Sequence, residues 1–194
     1  MDKNAYAIDY LERSASVFRD YIDAGLPGLL ELVEATTAAI RSGGKVLLFG
    51  NGGSAADAQH LAAEYVNRFL VKDRAALPAI ALTTDTSILS AIGNDLGFDQ
   101  VFSRQVEALA VGGDIALGLS TSGTSSNVLA GLTEARRRGC VTVGFCGACT
   151  EAMVAHCDLL ISAPVEQTPL VQQFHITIGH LWVDLVEKEL TAKS

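Results

Sequence analysis

Two glycine- and hydroxyl-rich runs constrain this chain more than any other feature. The first is Leu47-Leu48-Phe49-Gly50-Asn51-Gly52-Gly53-Ser54-Ala55-Ala56, and the second is Gly118-Leu119-Ser120-Thr121-Ser122-Gly123-Thr124-Ser125-Ser126-Asn127. Each follows a short apolar run and precedes a helix-like segment, so each reads as strand, turn and helix. Such a turn aims backbone N–H groups and hydroxyls at one spot. That spot takes an anion, and phosphate is the usual one. Downstream of the first run, His60 and Glu64 stand four positions apart, on one helix face. A phosphate cradle beside an imidazole and a carboxylate points to chemistry on a phosphorylated small molecule.

The rest of the chain supplies a frame for these turns. Apolar positions at Tyr6, Ile8, Tyr10, Leu11, Val17, Phe18 and Ile22 predict an amphipathic helix over 4–23, and a second runs over 28–41 after Leu26-Pro27-Gly28. Strands are expected at 45–49, 79–83, 115–119, 141–145 and 159–161. Helices are expected at 54–70, 87–94, 97–109, 125–137 and from about Pro169 to Ala192. Short strands alternating with helices predict a parallel five-stranded sheet covered on both faces. One domain over 1–194 is expected, with 1–42 serving assembly and 43–194 forming the α/β core and the long last helix. Neither the front hairpin nor the long apolar last helix is needed to cover five strands, which marks them as assembly elements.

Composition narrows the class. Charged residues are only 19% of the chain, lean for the surface of a monomer, so part of that surface is expected against copies of itself. The net charge of -8 makes the chain a poor general match for nucleic acid, though local positive potential can still hold a phosphate ester. No apolar run reaches the length of a membrane span, and the first residues do not open a signal peptide. Cys140, Cys146, Cys149 and Cys157 cluster, but Cys146 and Cys149 lack a second pair at finger-like distance. They read as small buried hydrophobes in a reducing cytoplasm.

Each motif has a plainer explanation. The first run is too compressed for a dinucleotide fingerprint and lacks the lysine of a P-loop, so an ordinary tight turn would account for it. The second run is harder to dismiss, because one helix cap needs one hydroxyl and this run carries many. His60 and Glu64 could be a surface pair. His180 could be a packing histidine among Ile178, Leu181 and Trp182.

Together the motifs are specific. Gly50-Asn51-Gly52-Gly53-Ser54, Asp57 to His60 with Glu64, Gly93-Asn94-Asp95, Phe102-Ser103-Arg104, the 120–127 run, and Gln172-x-x-His175 with His180 resemble the sugar isomerase (SIS) family, and within it the bacterial phosphoheptose isomerases. The resemblance covers nearly the whole length. It implies interconversion of sedoheptulose 7-phosphate and D-glycero-D-manno-heptose 7-phosphate, feeding lipopolysaccharide heptose, by a cytoplasmic homotetramer with sites near subunit interfaces. It implies a divalent ion, zinc, held by His60, Glu64, Gln172 and His180. It places Ser54, Ser120, Thr121, Ser122 and Ser125 at the phosphate and Asn51 and Asp95 on sugar hydroxyls. Gly52, Gly53, Asn94 and Gln172 line the substrate, and Arg68, one turn beyond Glu64, faces the substrate or its phosphate.

The chemistry supports this set independently. Aldose–ketose isomerisation needs a base, an acid near the oxygens and stabilisation of an enediolate. Glu64 and His180 are the candidate proton-transfer pair. One point strains: eight residues separate Gln172 from His180, a rise of roughly 12 Å on a straight helix. Either the helix start is irregular or a neighbouring subunit supplies one ligand. His175 is off the face of His180 and reads as the packed histidine. Thr168 and Gln172 read as pocket-side residues. A non-catalytic tetrameric scaffold that binds the replication initiator protein is the alternative. The complete His60, Glu64, Gln172 and His180 set favours the enzyme.

Overall fold

The computed structural model describes residues 1–192, so the last two positions of the expected 43–194 core lie outside the described residues. Five parallel strands, β1 (Val46–Gly50), β2 (Ala79–Ala81), β3 (Ile115–Ser120), β4 (Val141–Cys146) and β5 (Leu159–Ser162), form one sheet in the order β2-β1-β3-β4-β5. Both faces are covered. Side chains alternate along β1, so Val46 and Leu48 join the core on one face while Leu47 and Phe49 join the other. The first face is closed by α2 (Leu29–Arg41), α3 (Gly53–Val66) and α8 (Thr168–Thr191), with Trp182, Phe174 and Tyr65 fully buried. The second face is closed by α5 (Ser103–Leu109) and α6 (Ser126–Arg137), through Val106, Val128 and Leu132.

The chain leaves β1 toward β2 on one side and reaches β3, β4 and β5 on the other. The order therefore reverses between β1 and β3, which pair directly with Gly50 opposite Leu119. In a sheet of this type the crevice beyond the strand ends at the reversal is where ligands bind. Both glycine- and hydroxyl-rich runs begin there.

Several boundaries differ from the sequence expectation. Helix α3 stops at Val66 rather than near Leu70, and Asn67 at its C-terminal end leaves the helical region (φ -83°, ψ -84°). Strand β2 is only Ala79–Ala81. The expected 97–109 helix is broken into a 3-10 turn at Phe98–Gln100 and α5, beginning at Gly97 with φ 94°. A short helix α7 (Glu151–Val154) was not foreseen. Helix α1 (Lys3–Asp23) buries only Val17 and Tyr21, and α4 (Thr86–Asp95) buries no residue. Among the described residues no helix is long and apolar enough to cross a membrane. Cys140, Cys146 and Cys157 are buried free thiols, as expected of small hydrophobes, whereas Cys149 is exposed.

Candidate active site

The turn after β1 favours glycine. Gly52 adopts φ 57° and ψ -120°, a conformation that side chains oppose, and a Cβ on Gly53 would collide with the amide of Gln172 from α8. The second turn is a web of hydroxyls. Ser120 Oγ lies 2.9 Å from Ser125 Oγ and 3.4 Å from Ser122 Oγ, and Ser122 Oγ lies 3.0 Å from Thr124 Oγ1. The two turns are joined by reciprocal amide bonds. Asn51 Nδ2 donates to Asn127 Oδ1 at 2.8 Å, and Asn127 Nδ2 donates to Asn51 Oδ1 at 2.9 Å.

Between the turns lies a cavity of about 280 Å³ lined by Asn51, Gly52, Gly53, Ser54, Leu119, Ser120, Thr121, Ser125, Thr168 and Gln172. Three helices, α3, α6 and α8, begin at its wall. None of their N-cap residues, Gly52, Ser125 and Gln167, makes a side-chain capping bond. The first N–H groups of a helix have no partner within it, and the helix dipole adds positive potential there. Three uncapped N-termini with a ring of hydroxyls are an arrangement that suits an anion without lysine or arginine.

Farther along α3 and α8 sits a second group. His60 Nε2 faces His180 Nε2 at 2.8 Å, and Glu64 Oε1 lies 3.4 Å from His60 Nε2. One ligating atom from each of the three lies within 4.8 Å of the others. Two ring nitrogens and a carboxylate oxygen, half open to solvent, are the donor set that suits a zinc-type cation with room for substrate. Burial pulls the His180 imidazole below its ordinary range, His60 adds to this, and Glu64 opposes it. The Phe69 ring stacks on His180 with centroids 5.4 Å apart and planes 22° apart.

The SIS domain family model matches residues 9–147. The chain is 50% identical over 185 residues to a phosphoheptose isomerase of Roseiflexus sp., covering 95% of this chain and 93% of that relative. It is 60% identical over 159 residues to one of Desulfovibrio desulfuricans, covering 82% and 75%. The solved phosphoheptose isomerase from Francisella tularensis superposes with a TM-score of 0.92 at 31% identity, over 97% of this chain and all of the other. This chain belongs to the SIS-domain phosphoheptose isomerases.

Within this phosphoheptose isomerase framework, Asn51, Gly52, Gly53, Ser54, Ser120, Thr121, Ser125, Thr168 and Gln172 meet at one cavity, and His60, Glu64 and His180 meet at one cluster. Ser122 sits beside the cavity, in the hydroxyl web. Arg68, Asn94 and Asp95 are not among the residues that line this cavity or form this cluster. Arg68 falls beyond the end of α3, so it does not share the helix face of Glu64, and it is exposed. Asn94 and Asp95 are exposed at the end of α4, with Asn94 Nδ2 bonded to Asp95 Oδ1 at 2.7 Å. Helix α8 is continuous from Thr168, so an irregular start does not relieve the separation of Gln172 from His180. His175 is fully buried, as expected.

Sequence reasoning missed Asn127, Phe69, Arg74 and Glu187. Asn127 was visible only as the end of the hydroxyl run. Glu187 left a fainter signal, an acidic residue beside Val183 and Val186, two turns from His180.

Proposed function

We propose that the cavity and the cluster together form the active site in which this chain, an isomerase of phosphorylated heptose, interconverts sedoheptulose 7-phosphate and D-glycero-D-manno-heptose 7-phosphate. The observation that carries the reading is that one helix, α3, starts at the anion cavity with Ser54 and bears His60 and Glu64 further along. Ser54 to His60 is a rise of roughly 9 Å. A seven-carbon sugar with C–C bonds of about 1.5 Å, held open with its terminal phosphate in the cavity, is long enough to bring its carbonyl end near the cluster.

In this reading the phosphate accepts from the hydroxyls of Ser54, Ser120, Ser122 and Ser125 and from the N–H groups of Thr121 and the helix starts. Glu64 takes the proton from the carbon next to the carbonyl, and His180 serves the neighbouring oxygen. The proton returns to the adjacent carbon, which converts ketose to aldose. His60, Glu64 and His180 would hold a divalent ion, zinc by donor type, with Gln172 the fourth candidate. When bound, such an ion stabilises negative charge on the substrate oxygens. Homotetrameric assembly and a cytoplasmic location complete the reading, with 1–42 as the assembly segment of a single domain. Relatives that match over most of their length carry the isomerase name, which favours catalysis over the scaffold alternative.

The test is turnover of sedoheptulose 7-phosphate by the parent and by Glu64→Gln, with metal content measured on both. Loss of a placed proton-transfer group is expected to lower kcat by ~10²–10⁴-fold. In D₂O, label is expected at the carbon next to the product carbonyl. Near-normal turnover in Glu64→Gln at unchanged metal content would remove Glu64 from the role of base.

A further inference from the structure

Near the cluster lies a buried ion pair, Arg74 and Glu187, that does not line the cavity. Glu187 stands seven residues after His180 on α8, two turns along the same face, and is fully buried. Its Oε1 accepts from Phe69 N–H at 3.0 Å, and its Oε2 accepts from Leu70 N–H at 2.7 Å and Val71 N–H at 2.8 Å. Arg74 Nε donates to the same carboxylate. The guanidinium is almost wholly buried and reaches in two more directions. One NH₂ group donates to the Glu64 carbonyl at 2.6 Å and the other to the Ala75 carbonyl at 2.8 Å.

These bonds lead to the reacting groups by two routes. Glu64 lies in the last turn of α3, where carbonyls lack helical partners and no basic residue stands in the sequence. Arg74 supplies the missing cation from the loop, on the backbone of Glu64 itself. The second route runs through Phe69. Glu187 fixes its N–H, and its ring stacks on His180. An apolar pair of the same volume would fill this space but leave the Phe69, Leu70 and Val71 N–H groups and the Glu64 carbonyl without these partners. It would not fix α3 against α8 in one register.

We propose that Arg74 and Glu187 are positioning residues that hold Glu64 and His180 in the geometry the cluster requires. This rests on the reading of the cluster as the reaction centre. Glu187 sets the stacking ring behind His180, Arg74 sets the end of α3, and the bond between them locks the two helices together.

Arg74→Met tests the proposal, because Glu187 keeps its three backbone donors while the Glu64 and Ala75 carbonyls lose the guanidinium. The readouts are thermal stability, inorganic phosphate affinity, Co²⁺ affinity with its visible absorption bands, and kcat apart from KM. Phosphate affinity and KM are expected to match the parent. Co²⁺ affinity and kcat are expected to fall about 10–100-fold, the usual effect of losing an outer-shell partner, with altered bands. Parent-like Co²⁺ affinity, bands and kcat, with only thermal stability reduced, overturn the proposal and leave a purely structural ion pair. If Arg74→Met does not fold, Arg74→Lys, which keeps the cation beside Glu187 but not the guanidinium fork that reaches the Glu64 and Ala75 carbonyls, is read the same way. A parent that binds no Co²⁺ refutes the metal part of the proposed function alone. The kcat–KM split then decides: a fall in kcat at constant KM supports the positioning role, and no fall overturns it. A parent without turnover overturns both.

Discussion

His175 and His180 stand five positions apart on one helix in opposite surroundings. His175 is fully buried, with Nε2 3.1 Å from the Cys146 carbonyl and Nδ1 without a partner. Burial pushes its imidazole down to about 4, while the bond to Cys146 opposes the shift. The unfolded chain binds this proton near 6.5 and the folded chain only near 4. Between those values the unfolded state holds more protons, so stability is full above pH 6.5 and falls as pH drops toward 4. The fall attributable to His175 should be about 3 kcal/mol. Denaturant unfolding of parent and His175→Leu at several pH values measures it, and an unchanged slope in the variant would assign the acid sensitivity elsewhere. The packed role of His175 was legible from its offset from the His180 face. The role of Arg74 was not, because a basic residue in a loop carries no periodic signal and its acidic partner Glu187 is 113 positions away.

At the scale of elements, both turns were legible as strand–turn–helix junctions, because glycine and hydroxyl residues follow a short apolar run and precede a helical pattern. Hydroxyls crowded before a helix leave more donors than capping needs, and α6 shows that even Ser125, at the cap position, makes no side-chain capping bond. The ends of α3 and β2 were not legible. Past Val66 the chain keeps a helical apolar spacing through Phe69 and Leu70, but their N–H groups go to Glu187 instead of to helix carbonyls. Tertiary bonding overrode propensity there. Substituting Ser120→Ala and Ser122→Ala together removes two hydroxyls from the web, among them the Ser120 Oγ that meets the hydroxyl and N–H of the N-cap residue Ser125. A hydrogen bond to a charged group is worth about 1.5–3 kcal/mol, so KM should rise at least tenfold, roughly, with kcat changed less. Calorimetric titration with inorganic phosphate checks the same loss without turnover. Full phosphate affinity in the double variant would make the web structural and move the anion elsewhere.

The whole molecule leaves apolar surface that one chain does not explain. On α1, Tyr6, Ile8, Leu11 and Ile22 are all at least half exposed, and Leu30 on α2 is 58% exposed. Leu96 and Phe98, beside the exposed Asn94 and Asp95, add a second apolar patch at the end of α4. A parallel sheet already covered on both faces has no further use for these side chains within the chain. A symmetric assembly does, since it buries the same patch on every copy. In such an assembly the exposed Asn94, Asp95 and Arg68 would be available to the site of a neighbouring copy. The parent should therefore sediment as a tetramer at micromolar concentration. Tyr6→Glu with Leu11→Glu places charges on the exposed α1 face, at residues that line neither the cavity nor the cluster, and should yield smaller species with unchanged far-ultraviolet circular dichroism. If sites are shared, kcat/KM should fall with the loss of tetramer and recover as protein concentration drives reassembly. A parent that sediments as a monomer refutes the assembly, and dissociated species with full activity would confine the site to one chain.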